Sequence, residues 1–142
     1  MVRARLLAVR LGLLPAEHRA AIWERGERAA ARLMRRKRLH VVARNLRLGP
    51  GEIDLLCRER SDGVFVIVEV KARLVDNRSN RRPEDAITAR KKQKLLTLAR
   101  TLMRDESVRR AGLRIDVVAV EFERGRRRPV ALRHYERAIS SS

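Results

Sequence analysis

Asp54, Glu69 and Lys71 are the residues whose types and spacing could do chemistry. Glu69 and Lys71 lie within Val64 to Ala72, VFVIVEVKA, and charges are rarely placed in so apolar a strand without a partner or a task. Alternate residues of a strand share a face, so Phe65, Ile67, Glu69 and Lys71 point one way. By the same parity Glu52 and Asp54 share a face of the preceding stretch, Glu52 to Arg58. Ser61-Asp62-Gly63 between them reads as a hairpin turn. A turn centred on Ser61 and Asp62 sets Asp54 opposite Glu69, whereas one centred on Asp62 and Gly63 sets it opposite Lys71. Opposed residues have Cβ atoms about 5 Å apart. Two carboxylates that close repel unless a cation or a shared proton lies between them. Mg²⁺ suits such a pair, because it takes oxygen ligands, keeps several waters and bridges to substrate phosphate. A cross-strand salt bridge between Asp54 and Lys71, with Glu69 in solvent, satisfies the spacing equally well.

The elements that must position these residues follow from local pattern. Pro15 to about Arg38 is rich in strong helix formers, with Pro15 suited to the first turn. Leu39 to Leu48 is β-branched and alternating, a strand, and Gly49-Pro50-Gly51 is a break. Glu52 to Arg58 is a second strand. Val64 to Ala72 is a third, and its near-continuous apolar run implies burial on both faces. Arg73 to Arg82 reads as a mobile polar loop. Pro83 to Met103 places Ile87, Leu95, Leu98 and Leu102 at helical spacing. Leu113 to Glu123 is a fourth strand and Val130 to Ile139 a fifth. The order α-β-β-β-α-β-β predicts an α/β domain with a mixed central sheet flanked by helices. No internal repeat or linker interrupts it.

Composition narrows the function classes. The chain has 142 residues and 44% hydrophobic content, enough for one domain with a core. Its 35 Lys and Arg against 17 Asp and Glu give a formal charge of +18, which favours polyanionic partners. Thirty of those cations are Arg, a bias that genome composition also produces. The single cysteine, Cys57, excludes an internal disulfide and reads as a small buried strand residue. His18, His40 and His134 lack metal-ligand spacing. No Ser, Cys or His constellation offers a nucleophile, so water would attack in any hydrolysis. Few aromatics are present, and Phe65 and Phe122 read as core, which argues against base-stacking single-strand binders. No apolar run reaches transmembrane length, and Arg5 and Arg10 interrupt the faintly signal-like start. A cytoplasmic protein without membrane attachment is the expectation.

The motifs GERAA at Gly26, ARNLR at Ala43, GEIDLL at Gly51, VIVEVKAR at Val66, KKQKLL at Lys91 and RIDVVAV at Arg114 occur in an order that resembles the YraN-like family. That family is placed with Holliday-junction-resolvase-like endonucleases of the PD-(D/E)xK superfamily, and Asp54 followed by Glu69-Val70-Lys71 resembles the superfamily signature. The resemblance covers roughly Gly26 to Ile139. It implies a single restriction-endonuclease-like domain over 26–139, with residues 1–25 a partly helical lead-in and 140–142 a disordered tail.

The resemblance further implies that Asp54, Glu69 and Glu27 ligate Mg²⁺ or Mn²⁺, while Lys71 polarises the attacking water and steadies the phosphate. Glu27 also falls on the helical face of Trp23, Ala30 and Met34, a stripe that should look inward and leave a carboxylate in need of a partner; a solvated helix glutamate is the alternative. Arg44, Asn45, Arg47, Arg73 and Lys91 become candidates for nucleic-acid contact. For Arg44, Asn45 and Arg47 the alternative is fixing the turn before the second strand, and for Lys91 a solvated surface position. Asp116, an acid in an apolar strand, reads as a structural ion pair. Ile67 in place of the commoner Phe, and the charged loop Arg73–Arg82, depart from the family pattern without touching the implied ligands. Metal-dependent DNA hydrolysis is therefore the expected activity, with DNA ahead of RNA and branched DNA a candidate substrate. A homodimer would suit a junction's symmetry. A non-catalytic nucleic-acid-binding module on the same fold is the main alternative, and an RNA- or ribosome-associated basic protein the third.

Overall fold

The computed structural model describes residues 16–49, 51–75 and 82–140, the side chains of 16–20 and 86 apart. The expectations for the lead-in before residue 16, for Pro50, for the loop at 76–81 and for the last two serines lie outside the described residues. Within them the elements are α1 (Ala16–Arg36), β1 (Leu39–Leu48), β2 (Gly51–Glu59), β3 (Phe65–Leu74), a 3₁₀ turn (Pro83–Ala86), α2 (Ala89–Leu102), α3 (Glu106–Ala111), β4 (Leu113–Phe122) and β5 (Ala131–Ile139).

The sheet follows chain order, β1-β2-β3-β4-β5. Its β1–β2, β2–β3 and β4–β5 pairs are antiparallel, whereas β3 and β4 run parallel. A parallel pair needs a long crossover, and the segment carrying α2 and α3 supplies it. This is the mixed sheet flanked by helices that the pattern predicts.

Alternation along the strands divides the core into two layers. Val66, Val68 and Val70 face Ala30, Ala31 and Met34 of α1. Phe65 and Ile67 face Leu95 and Leu98 of α2 and Val108 of α3. Burial of β3 on both sides explains its apolar run. Packing against α1 is close at one point, where a Cβ on Gly26 would lie 2.5 Å from the Ala72 Cβ. Only glycine lets the helix approach β3 so closely.

Three expectations change. The segment from Pro83 to Met103 is not one helix but a 3₁₀ turn followed by α2, because Thr88 is extended and its Oγ1 accepts the Lys91 amide as an N-cap. A further short helix, α3, begins where Asp105 caps the Ser107 amide and ends at Gly112, whose φ is 94°. β3 runs on through Arg73 and Leu74, which the sequence assigns to a loop. These residues stay in the sheet because β4 pairs with them to the end of the strand, Leu74 against Phe122.

Candidate active site

The hairpin between β2 and β3 decides the register that sequence leaves open. Leu55 pairs with Val68 and Arg58 with Phe65, so the turn is centred on Ser61 and Asp62, and Asp54 falls level with Glu69. Asp62 Oδ1 holds the Val64 amide at 3.0 Å, and Gly63 takes a φ of 77° that suits glycine.

Beyond Leu55 and Val68 the two strands part. The Gly51–Asp54 half of β2 pairs only with β1, and the Glu69–Leu74 half of β3 only with β4. Asp54 sits at the fork, where its Oδ2 accepts the Val70 amide at 2.8 Å in place of a strand carbonyl. Asp54 and Glu69 are both buried, at 9% and 3% exposure. Burial, then the neighbouring Glu69 charge, pushes the Asp54 carboxyl well above the usual carboxylate range; Glu27 adds to the rise, and the Val70 hydrogen bond and Lys91 work against it. Glu27 comes from the α1 layer and Lys91 from the α2 layer, so the fork opens the sheet to both.

Glu69 divides its two oxygens. Oε1 lies 3.4 Å from Lys71 Nζ and 3.3 Å from Lys91 Nζ. Oε2 is buried with no hydrogen-bond partner among the described residues. An unsatisfied buried carboxylate oxygen is costly, and this one lies beside a second carboxylate that burial and repulsion hold towards its protonated form. That combination fits a divalent cation, with Asp54 and Glu69 as its protein ligands and other positions left for water and phosphate. Among the described residues no three His, Cys, Asp or Glu side chains gather closely enough to hold a metal by themselves, so the fit rests on two carboxylates rather than three.

The model of the uncharacterised protein family UPF0102 matches residues 26–120. The chain belongs to the UPF0102 family. A UPF0102 protein of Rhodopirellula baltica is 34% identical over 88% of this chain and 74% of that protein. Another, from Pelotomaculum thermopropionicum, is 36% identical over 87% of this chain and 99% of its own length. A third, from Symbiobacterium thermophilum, is 38% identical over 70% and 81%. The span matched to UPF0102 begins at Gly26 and contains every residue of the fork.

The other predicted site residues of this UPF0102 chain fall into two groups. Glu27 is buried beside Ala30 and Met34, but Trp23 is 40% exposed. The inward stripe therefore starts one turn later than the helical spacing predicts. Asn45 reaches Glu27 rather than solvent, its side-chain amide within hydrogen-bond distance of the carboxylate. Lys91 is at Glu69. Arg44 and Arg47 are exposed on β1, and Arg73 is half-buried near the end of β3.

A residue that sequence reasoning does not bring forward holds the approach to α2. Glu84, in the 3₁₀ turn, accepts two hydrogen bonds from Arg133 of β5, at 2.9 and 2.8 Å, and one from Tyr135 at 2.9 Å. The Arg133 bonds, above all, hold the Glu84 carboxyl below its ordinary range. This anchor ties the turn to the sheet just before the capped start of α2, seven residues ahead of Lys91. Its only sequence signal is an acid beside Pro83.

Asp116 is an ion pair, as its setting predicts, within a larger network. It accepts from Arg114 Nε at 3.1 Å, from the Arg137 amide at 3.0 Å and from His134 Nε2 at 2.8 Å, while Arg114 also donates to Glu59 at 2.8 Å. Lys37 Nζ donates to His134 Nδ1 at 2.8 Å, which leaves the ring proton on Nε2 facing Asp116. Cys57 is buried and its thiol is pushed up to about 12, by burial first and then by Asp116, which makes it an inert core residue. No helix among the described residues is long and apolar enough to cross a membrane.

Proposed function

We propose that this chain is a metal-dependent nuclease that hydrolyses phosphodiester bonds in DNA, with branched DNA as the first substrate to try. One observation carries the reading: Glu69 Oε2 is buried without a partner next to Asp54, while Lys71 and Lys91 converge on the other Glu69 oxygen. Two acids and two lysines in one fork supply a place for a cation and, beside it, a place for a phosphate.

A bound Mg²⁺ or Mn²⁺ would lower the pKa of a coordinated water and polarise the phosphoryl oxygens. Asp54 and Glu69 would hold it, Asp54 remaining oriented by the Val70 amide. Lys71 is 25% exposed, so its ammonium can turn from Glu69 to the attacking water or a non-bridging oxygen without leaving the site. Lys91, 31% exposed at the first turn of α2, would grip the same phosphate, helped by the helix N-terminus. Arg44, Arg47 and Arg73 would extend the basic surface that the +18 charge provides.

The test is incubation of the purified protein with Mn²⁺ and end-labelled four-way, flapped, nicked and linear DNAs, with RNA counterparts in parallel. Wild type is expected to cut DNA with Mn²⁺ and not with EDTA, and Glu69→Gln to cut under neither condition. DNA binding without cutting under every condition would replace this reading with the non-catalytic module. Cutting confined to RNA would move the substrate class.

A further inference from the structure

We propose that Asn45 is a positioning residue of the metal site, a left-handed residue in mid-strand whose amide bridges Glu27 and Glu52 and so fixes where the Glu27 charge stands relative to Asp54. The inference rests on the metal-site reading above. Asn45 lies in mid-strand with a φ of 50°, a left-handed conformation that residues other than Gly, Asn and Asp rarely adopt. The flanking pairs Arg44 with Leu55 and Leu46 with Ile53 set it opposite Asp54.

Side-chain alternation breaks at the same place in both strands. Ala43 and Leu46 pack into one core layer although three positions apart, and so do Ile53 and Leu56. Both strands thus kink at Asn45 and Asp54 without a change of register, and the kink turns the Asn45 side chain towards α1.

There it meets two acids. With the amide nitrogen facing them, as a carboxamide between carboxylates must, Asn45 donates to Glu52 Oε1 at 3.0 Å and Glu27 Oε1 at 3.1 Å. A residue needed only to bend the strand would be served better by glycine, which takes this φ without strain. What asparagine adds is a neutral double donor between two carboxylates. It bridges Glu27 and Glu52, and it fixes where the Glu27 charge stands relative to Asp54. The close Gly26–Ala72 contact sets the height of the helix, and Asn45 sets the direction of the side chain that follows.

The experiment is Mn²⁺ titration, followed by electron paramagnetic resonance, of wild type, Asn45→Gly, Glu27→Gln and the double variant, with thermal melting in EDTA alongside. Wild type should bind, each single variant should bind about tenfold more weakly, and the double variant should be no weaker than either single one. Asn45→Gly should still unfold in one cooperative transition in EDTA, since glycine accepts the backbone. Merely structural damage would add to the loss from Glu27→Gln, whereas action through Glu27 makes the two losses overlap. Asn45→Gly binding Mn²⁺ like wild type, or fully additive losses in the double variant, would overturn the role of Asn45 and leave the proposed function standing. Wild type that binds no Mn²⁺ at all would overturn both.

Discussion

Asp54 and Asp116 are both acids buried in the sheet, and they are treated in opposite ways. Asp116 has no exposed surface and is fully occupied, by Arg114, His134 and the Arg137 amide. Burial alone would raise its carboxyl, but these hydrogen bonds and the Arg114 charge outweigh it and leave the group below the ordinary range. Asp54 has the Val70 amide, but it faces Glu69 and Glu27 and is held well above that range. Its neighbour Glu69 keeps one oxygen with no partner among the described residues. A buried acid whose partners all come from the fold contributes to structure. A buried acid beside other acids, at a place where the strands part, is what the proposed cation site would use.

Breaking the satisfied region should produce the largest effect. Asp116→Ala leaves the buried Arg114 guanidinium without its main partner, and such a loss costs about 3–5 kcal/mol. Urea denaturation would read it directly, and a cost below about 1 kcal/mol would show that the network is dispensable. Because the Asp116 carboxyl is lowered on folding, its contribution is present at neutral pH and lost as pH falls through the folded-state value. Wild-type stability should therefore drop on acidification more steeply than that of Asp116→Asn.

Breaking the unsatisfied region should cost activity instead. Lys71→Ala is expected to lower the Mn²⁺-dependent cleavage rate roughly a hundredfold, the loss typical of one preorganised electrostatic group. Mn²⁺ binding should persist, since an ammonium is no ligand, and affinity for uncut DNA should change little. Equal cleavage by wild type and Lys71→Ala would assign any activity to another site or a contaminant.

Much of this contrast is legible in sequence, because strand parity and the hairpin are local. VFVIVEVKA declares a doubly buried strand, and its parity places Glu69 and Lys71 on one face. The choice between Glu69 and Lys71 as the residue level with Asp54 is not legible, since it turns on a one-residue shift of the hairpin centre. The parting of β2 from β3 is also hidden, being a matter of which strands pair beyond Leu55. So is the kink at Asn45, since the tolerance of asparagine for a left-handed φ is its only mark in ARNLR and does not by itself break a strand. Trp23 shows the limit of periodicity: helical spacing extends the inward stripe past the point where the sheet still covers it. The cap at Thr88 and the capped start of α3 at Asp105 carry recognisable signals, but the apolar spacing from Ile87 to Leu102 overrides the first in a purely periodic reading.

If the fork brings together acids that take up a cation, thermal melting of wild type and Asp54→Asn will show it. Since the Asp54 carboxyl is raised on folding, its ionised form penalises the folded state as pH rises through the folded-state value. In EDTA at neutral pH, Asp54→Asn should melt higher than wild type, by about 3 °C for a gain near 1 kcal/mol. Adding Mn²⁺ should raise the melting temperature of wild type and leave that of Asp54→Asn unchanged. A fall in melting temperature for Asp54→Asn in EDTA, with no Mn²⁺ effect on wild type, would make Asp54 a structural partner like Asp116 and contradict the account.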